Sequence, residues 1–142
     1  MKTFCGRINL STQGNNEILD VTPEIHRLVG QSGIRTGQLV AMVVGSTAGL
    51  STLEFEPGLV NHDIKAAMER IAPENGRYLH EETWHDDNGH SHVRATVTGP
   101  SICLPIENGR VPLGTWQQVV LIDYDTRPRN REIVVSILGG TD

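Results

Sequence analysis

Cysteine is scarce in this chain: Cys5 and Cys103 stand alone, far apart, with no thiol or histidine at zinc-finger spacing. That excludes a disulfide-stapled scaffold and a cysteine-based zinc module. Cys103 falls in the apolar run Ser101-Ile102-Cys103-Leu104-Pro105 and is expected as a buried, reduced thiol. Long hydrophobic runs are missing too. No membrane span or signal segment is expected, and the reading is a cytoplasmic protein. Positive charge is also short, with 12 Lys and Arg against 17 Asp and Glu and a formal net charge of −5. This argues against a nucleic-acid partner, while leaving room for a local phosphate site built around a cation. Internal repeats, low-complexity stretches and linkers are absent, so residues 1–142 read as one globular domain.

What is present alternates strand and helix patterns. Residues 2–11 mix β-branched and polar residues as a half-buried strand does. Thr22-Pro23 marks a helix start, with Thr22 as cap, Ile25, Leu28 and Val29 on one face, and Gly30 as the stop. Residues 39–44 and 50–55 are strand candidates. A longer helix is expected from Pro57, with Val60, Ile64, Met68 and Ile71 on its apolar face, His62 in solvent, and Pro73 ending it.

The second half reads mostly as strand. Val93, Ala95 and Val97 alternate with Arg94, Thr96 and Thr98, which predicts a strand with one polar face. Asn108-Gly109 between residues 102–106 and 111–113 predicts a hairpin. Residues 119–124 and 133–138 are apolar on both faces and read as central strands. Trp116 is expected in the core. The fold class is α+β, a mostly antiparallel β-sandwich with two helices. So few helices leave apolar sheet surface to be covered by another sheet or a partner subunit.

Four of the six histidines, His80, His85, His90 and His92, crowd into one short segment. Asp86-Asp87-Asn88-Gly89 is turn chemistry that would deliver His90 and His92 to the start of a strand. There a spacing of two puts both imidazoles beside Arg94 on one face, suited to one divalent ion, with His80, His85 or Asp87 completing the set. General acid–base chemistry is the other use for imidazoles here. Gly45-Ser46-Thr47-Ala48-Gly49 could cradle an anion. Arg127-Pro128-Arg129-Asn130-Arg131 is a solvated basic loop or an anion clamp.

Asn88-Gly89-His90-Ser91-His92, Gly99-Pro100-Ser101, Asn108-Gly109, Leu113-Gly114-Thr115-Trp116-Gln117-Gln118, Asp123-Tyr124-Asp125 and Arg127-Pro128-Arg129 together resemble the YjbQ-like family. Ser46-Thr47-Ala48 and Glu54-Phe55-Glu56-Pro57-Gly58 extend the resemblance upstream. It implies an antiparallel sandwich assembled as a homotrimer, and members look like secondary thiamine-phosphate synthases. These join hydroxymethylpyrimidine diphosphate to thiazole phosphate and release diphosphate.

Carried over by position, Glu54, Asp87 and His92 would be catalytic. Ser46, Thr47, Ser91, Arg94 and Gln117 would bind substrate, and His80, His90 and His92 would hold a divalent metal, magnesium or zinc. Two departures stand out: Gly45 replaces a histidine common before Ser-Thr-Ala, and Leu53-Glu54-Phe55-Glu56-Pro57 replaces an Asn-Glu-Asn run before Asp-Pro. His85 is a candidate substitute for the missing histidine. A non-catalytic trimer binding metal or a small anion, and a metal-dependent hydrolase, are the alternatives. In a trimer the Arg127 to Arg131 loop is the candidate contribution from a neighbour.

Overall fold

A computed structural model describes all 142 residues, Met1 to Asp142. Two long strands at the ends of the chain set the frame. Strand β1 (Lys2–Thr12) and strand β7 (Arg129–Gly140) pair antiparallel from Lys2↔Gly139 to Thr12↔Arg129. Strand β3 (Thr36–Val44) lies on the other side of β7, and β5 (Ser101–Ile106) pairs with β3, giving the order β1-β7-β3-β5. A second antiparallel sheet has β6 (Gln118–Asp123) between β2 (Glu17–Asp20) and β4 (Ala48–Leu53).

The period of two decides what lies between the sheets. Leu39, Ala41 and Val43 of β3 and Ile133, Val135 and Ile137 of β7 turn inward, opposite Val119 and Leu121 of β6 and Leu50 of β4. Helix α1 (Thr22–Ser32) adds Ile25, Leu28 and Val29 to this core. Leu28 packs over Gly6, where an added Cβ would come within 2.6 Å of its Cδ2 and displace that side chain. The Thr22 hydroxyl does not cap α1. It accepts from Val119 N–H at 2.9 Å and ties the helix to β6.

The back of the smaller sheet is covered by helices. A π-helical turn (Leu59–Asp63) runs into α2 (Ile64–Ile71), and Val60, Ile64 and Met68 pack with Ala95 over Ile18, Val120, Ile122 and Tyr124. This explains the two apolar faces of β6: one meets the larger sheet and the other its own helices. His62 is exposed beside Asp63, as expected, while Ile71 is exposed and leaves the apolar face. The outer face of the larger sheet has no such cover. Val40, Met42 and Val44 stand exposed on it, and Val134 and Leu138 are half-buried.

The α+β class and antiparallel sheets match the sequence reading, but helices α3 (Leu79–Trp84) and α4 (Gly89–Thr98) bring the helix count to four. Residues 90–98 are therefore helix, not strand. Burial falls at His90, Ser91, Arg94 and Ala95, the spacing of a helix face, while Val93 and Val97 face solvent. Asn108 and Gly109 do turn with positive φ and bridge Glu107 to Arg110, yet residues 111–113 form no strand. Cys103 is exposed, because β5 turns Ile102, Leu104 and Ile106 inward. Trp116 is 72% exposed rather than core. No helix is long and apolar enough to cross a membrane.

Candidate functional site

Helix α3 and helix α4 are joined by a short turn that bends back sharply. His85 takes a left-handed conformation at φ 55° and ends α3. Gly89 opens α4 against Tyr78, whose Cβ would lie 2.4 Å from any Cβ at position 89. The turn between them places Asp86 beside His80, with His80 Nε2 3.4 Å from Asp86 Oδ2. On α4, residues two apart diverge by about 200° around the axis. His90 and His92 therefore point to different sides instead of sharing the face a strand would have given them.

His92 meets His80, with ring centroids 4.4 Å apart and planes tilted by 58°. Burial holds its pKa below the ordinary imidazole value, and the His80 ring pushes the same way. Asp125, Asp86 and the Ser46 backbone oppose them. His90 is buried against Tyr78 at a centroid distance of 6.2 Å. Its pKa is also lowered, by burial first and then by Arg94.

Four buried side-chain atoms lack a hydrogen-bond partner: His80 Nε2, Asp86 Oδ1, Asn88 Oδ1 and His90 Nδ1. The 3.4 Å His80–Asp86 contact is electrostatic and does not meet hydrogen-bond geometry. Leaving such a group unpaired costs about 1–3 kcal/mol. Two of them belong to His80 and Asp86, which lie side by side and mark a place where a polar ligand, ion or water would complete the bonding.

Beneath this cluster lies an ionic frame. Arg131 donates from Nε and Nη2 to the two oxygens of Asp123 at 2.6 and 2.8 Å, and from Nη2 to Thr47 Oγ1 at 2.7 Å. The Thr47 hydroxyl donates to Asp125 Oδ2 at 3.0 Å, and Arg129 Nε donates to the same oxygen at 2.8 Å. Asp125 Oδ1 accepts from Asn88 Nδ2 at 3.4 Å and from the Thr126 amide at 2.7 Å. Burial pushes the Asp125 pKa up, but the Thr126 amide, Arg129 and Thr47 outweigh it and bring it down to about 2.

The sequence candidates thus separate into groups. Ser46, His92, His80 and Asp86 follow one another in contact, Asp87 belongs to the hollow on the far side of Asp86, and Thr47 is tied to Asp125. Asp87 Oδ1 accepts from the Thr126 hydroxyl at 2.9 Å. His85, Asp86, Asp87, Thr126 and Arg127 line an open pocket of about 570 Å³. Arg129 and Arg131 are committed to their own chain's carboxylates, which leaves Arg127 as the exposed cation of the basic loop. Arg94 is fully buried and donates to Ala72 O, Asn16 Oδ1 and Glu69 Oε2, so it braces helices rather than facing a pocket. Ser91 is buried beside His90.

Glu54 and Gln117 lie elsewhere. The register Ala48↔Asp123 to Leu53↔Gln118 puts them at the far end of the smaller sheet, about 17 Å along the strands. Gly45 has φ 128°, and Arg131 Nη1 comes within 2.8 Å of where its Cβ would be, so the guanidinium fills the space in front of that position.

No three His, Cys, Asp or Glu side chains of the chain are placed to hold one metal ion. The set His80, His90 and His92 does not fit, because His90 turns toward Tyr78. His80 and His92 with Asp86 beside them are the donors that converge. From the sequence, Arg127 is expected as part of a basic loop or anion clamp, whereas Asp86 and Asn88 read only as turn residues and Asp125 only as part of the family resemblance.

Comparison with known proteins adds the context. A family model described as UPF0047 protein YjbQ-like matches residues 6–140. A UPF0047 protein of Archaeoglobus fulgidus is 34% identical over 131 residues, covering 92% of this chain and 98% of its own. The UPF0047 protein YjbQ of Escherichia coli O157:H7 is 31% identical, covering 84% of this chain and 86% of its own. Among solved structures, a YbjQ-like protein of unknown function from Sulfolobus solfataricus P2 superposes with a TM-score of 0.90. It is 33% identical, with 97% of this chain and 98% of that one covered. A yjbq/upf0047 family protein from Clostridium acetobutylicum gives 0.83 at 32% identity, with 93% and 98% covered.

Proposed function

The chain belongs to the UPF0047 YjbQ-like family, and from that premise we propose that it is a transferase acting on small phosphorylated heterocycles, of the secondary thiamine-phosphate synthase type. The observation that carries this reading is the group of unpaired buried polar atoms from His80 to His90, beside the half-buried His92. Of these, His80 Nε2 and Asp86 Oδ1 belong to side chains that lie together beside His92, and a polar ligand there would complete their bonding.

The chemistry makes modest demands. The methylene C–O bond of hydroxymethylpyrimidine diphosphate breaks with its electron pair leaving on diphosphate, and the thiazole nitrogen lone pair forms the new C–N bond. The pyrimidine stabilises the intervening cation, so the protein's main task is to neutralise the leaving group. Arg127 lines the pocket and can make charge-assisted hydrogen bonds to phosphate oxygens. His80 and His92 would each offer a ring nitrogen to a divalent ion arriving with the diphosphate, and such an ion would supply further charge neutralisation. Asp87 fixes the pocket wall through Thr126. With its pKa lowered, His92 is neutral at physiological pH and can accept a proton or a metal.

Assembly as a trimer belongs to the same reading. Val40, Met42 and Val44 form an exposed apolar ridge that leads directly into Gly45 and Ser46. A neighbour covering that ridge would also reach Ser46, whose backbone meets His92. Exposed, unpaired Cys5 and Cys103 suit a reducing compartment, and a cytoplasmic location is part of the proposal.

The test is direct. Purified protein, supplied with the two precursors and magnesium or zinc, is expected to form thiamine phosphate and diphosphate. His92→Ala is expected to lose at least a hundredfold in rate, about 2.7 kcal/mol of barrier, with circular dichroism unchanged. Saturable diphosphate binding without product under both metals would overturn the transferase and leave an anion-binding protein.

A further inference from the structure

The geometry points to a second ligand site, at the end of the molecule away from His80 and His92, for a small aromatic molecule carrying a phosphate or carboxylate. It is independent of the transferase reading. An open groove of about 720 Å³ runs between the first turns of α1 and residues 107–117, with His26, Arg110, Asn108, Glu107 and Gln117 among its walls. Arg110 has no carboxylate within ion-pair distance, although the acidic groups outnumber the basic ones in this chain. His26 is exposed on α1 and offers a ring N–H. Glu107 is the one carboxylate in the lining, and Arg110, bridged to it through the backbone without a side-chain ion pair, is the one guanidinium.

Beside it, Trp116 is held out into solvent by a turn that does not move freely. Gln117 N–H donates to Gly114 O at 3.0 Å, and Gln117 Oε1 accepts from Gly114 N–H at 3.1 Å. Gln117 Nε2 then donates to Thr52 Oγ1 at 3.1 Å and anchors the turn to β4. Three hydrogen bonds thus fix a loop whose result is an exposed indole. An aromatic side chain normally gains by burial. One that is braced in the open is a preorganised stacking surface. A ring lying on Trp116 would carry its acidic group toward Arg110, where a guanidinium fork binds phosphate or carboxylate oxygens.

Trp84→Phe leaves Trp116 as the single indole, so its fluorescence reports on this surface alone. Titration with AMP and with pyridoxine 5′-phosphate is expected to quench it saturably. Adenosine, pyridoxine and inorganic phosphate are expected to bind at least tenfold more weakly. Arg110→Gln, at an exposed position, is expected to remove the preference for the phosphorylated probes, while His92→Ala leaves quenching unchanged. No saturable response to either phosphorylated probe, an equal response in Arg110→Gln, or loss of the response in His92→Ala would overturn the site. So would emission that changes with protein concentration alone, which would make the surface a contact between copies.

Discussion

Asp125 shows how much one side chain can organise. Its carboxylate takes Thr47, Arg129, the Thr126 amide and Asn88, and through Asn88 it reaches the start of α4. Its folded pKa of about 2 lies below the unfolded value, so the folded state gains from ionisation above pH 4. That gain, on the order of 1–2 kcal/mol, disappears as pH falls from about 4 to about 2. Asp123, also lowered in pKa by Arg131 and Thr12 against the opposing effect of burial, adds in the same direction. Urea midpoints should therefore fall steeply over that range in the parent protein and less steeply in Asp125→Asn. That variant should also lose about 3 kcal/mol at pH 7, because Arg129 is left without its partner. His92 follows the same sign: its folded pKa is lowered, so stability falls as pH drops below the usual imidazole range. Proton NMR should place its titration low, and His80→Ala should raise it by opening the ring to water. No change, or a fall, in His80→Ala would show that the two rings do not meet. The histidine cluster was legible in the sequence, but its pairing was not, because pairing depends on the backbone that carries each ring.

Helix α4 is where that dependence is sharpest. Val93, Ala95 and Val97 satisfy a period of two, yet the same ten residues also place His90, Ser91, Arg94 and Ala95 on one helix face. A short amphipathic segment can satisfy both patterns, and the tie is broken by partners: Arg94 finds Glu69, Ala72 and Asn16 only from a helix. None of those partners is local. By contrast, β6 and β7 were readable because apolar runs that long leave few choices, and the 108–109 turn because positive φ restricts its residues. Gly89 offers a test at this scale. Gly89→Ala would press a methyl group onto Tyr78 and should cost about 1–3 kcal/mol, measured by urea unfolding. An unchanged midpoint would mean that α4 does not begin against Tyr78.

For the whole molecule, the decisive asymmetry is between a small sheet covered on both sides and a large sheet covered on one. Charge placed on the bare side should act on assembly and spare the fold: Met42→Glu is expected to give monomers by light scattering, with thermal unfolding of the separated chain still cooperative. A parent protein that is already monomeric would remove the proposed trimer. The apolar runs at 119–124 and 133–138 suggested a covering partner in advance: the second face of β6 belongs to α2 and α4, while β7 lies in the sheet whose outer face is bare.

Strand β4 carries Ser46 and Thr47 just before its start, and Glu54 just past its end, with Gln117 beside it. The paired length of β4 alone is about 17 Å, and substitutions beyond its two ends with no shared partner add in free energy. The molecule is thus built like a bar with two separately adjustable ends. A chain altered at both His92 and Arg110 should show the sum of the two single effects, so that either terminus of the bar can be retuned without rewriting the other.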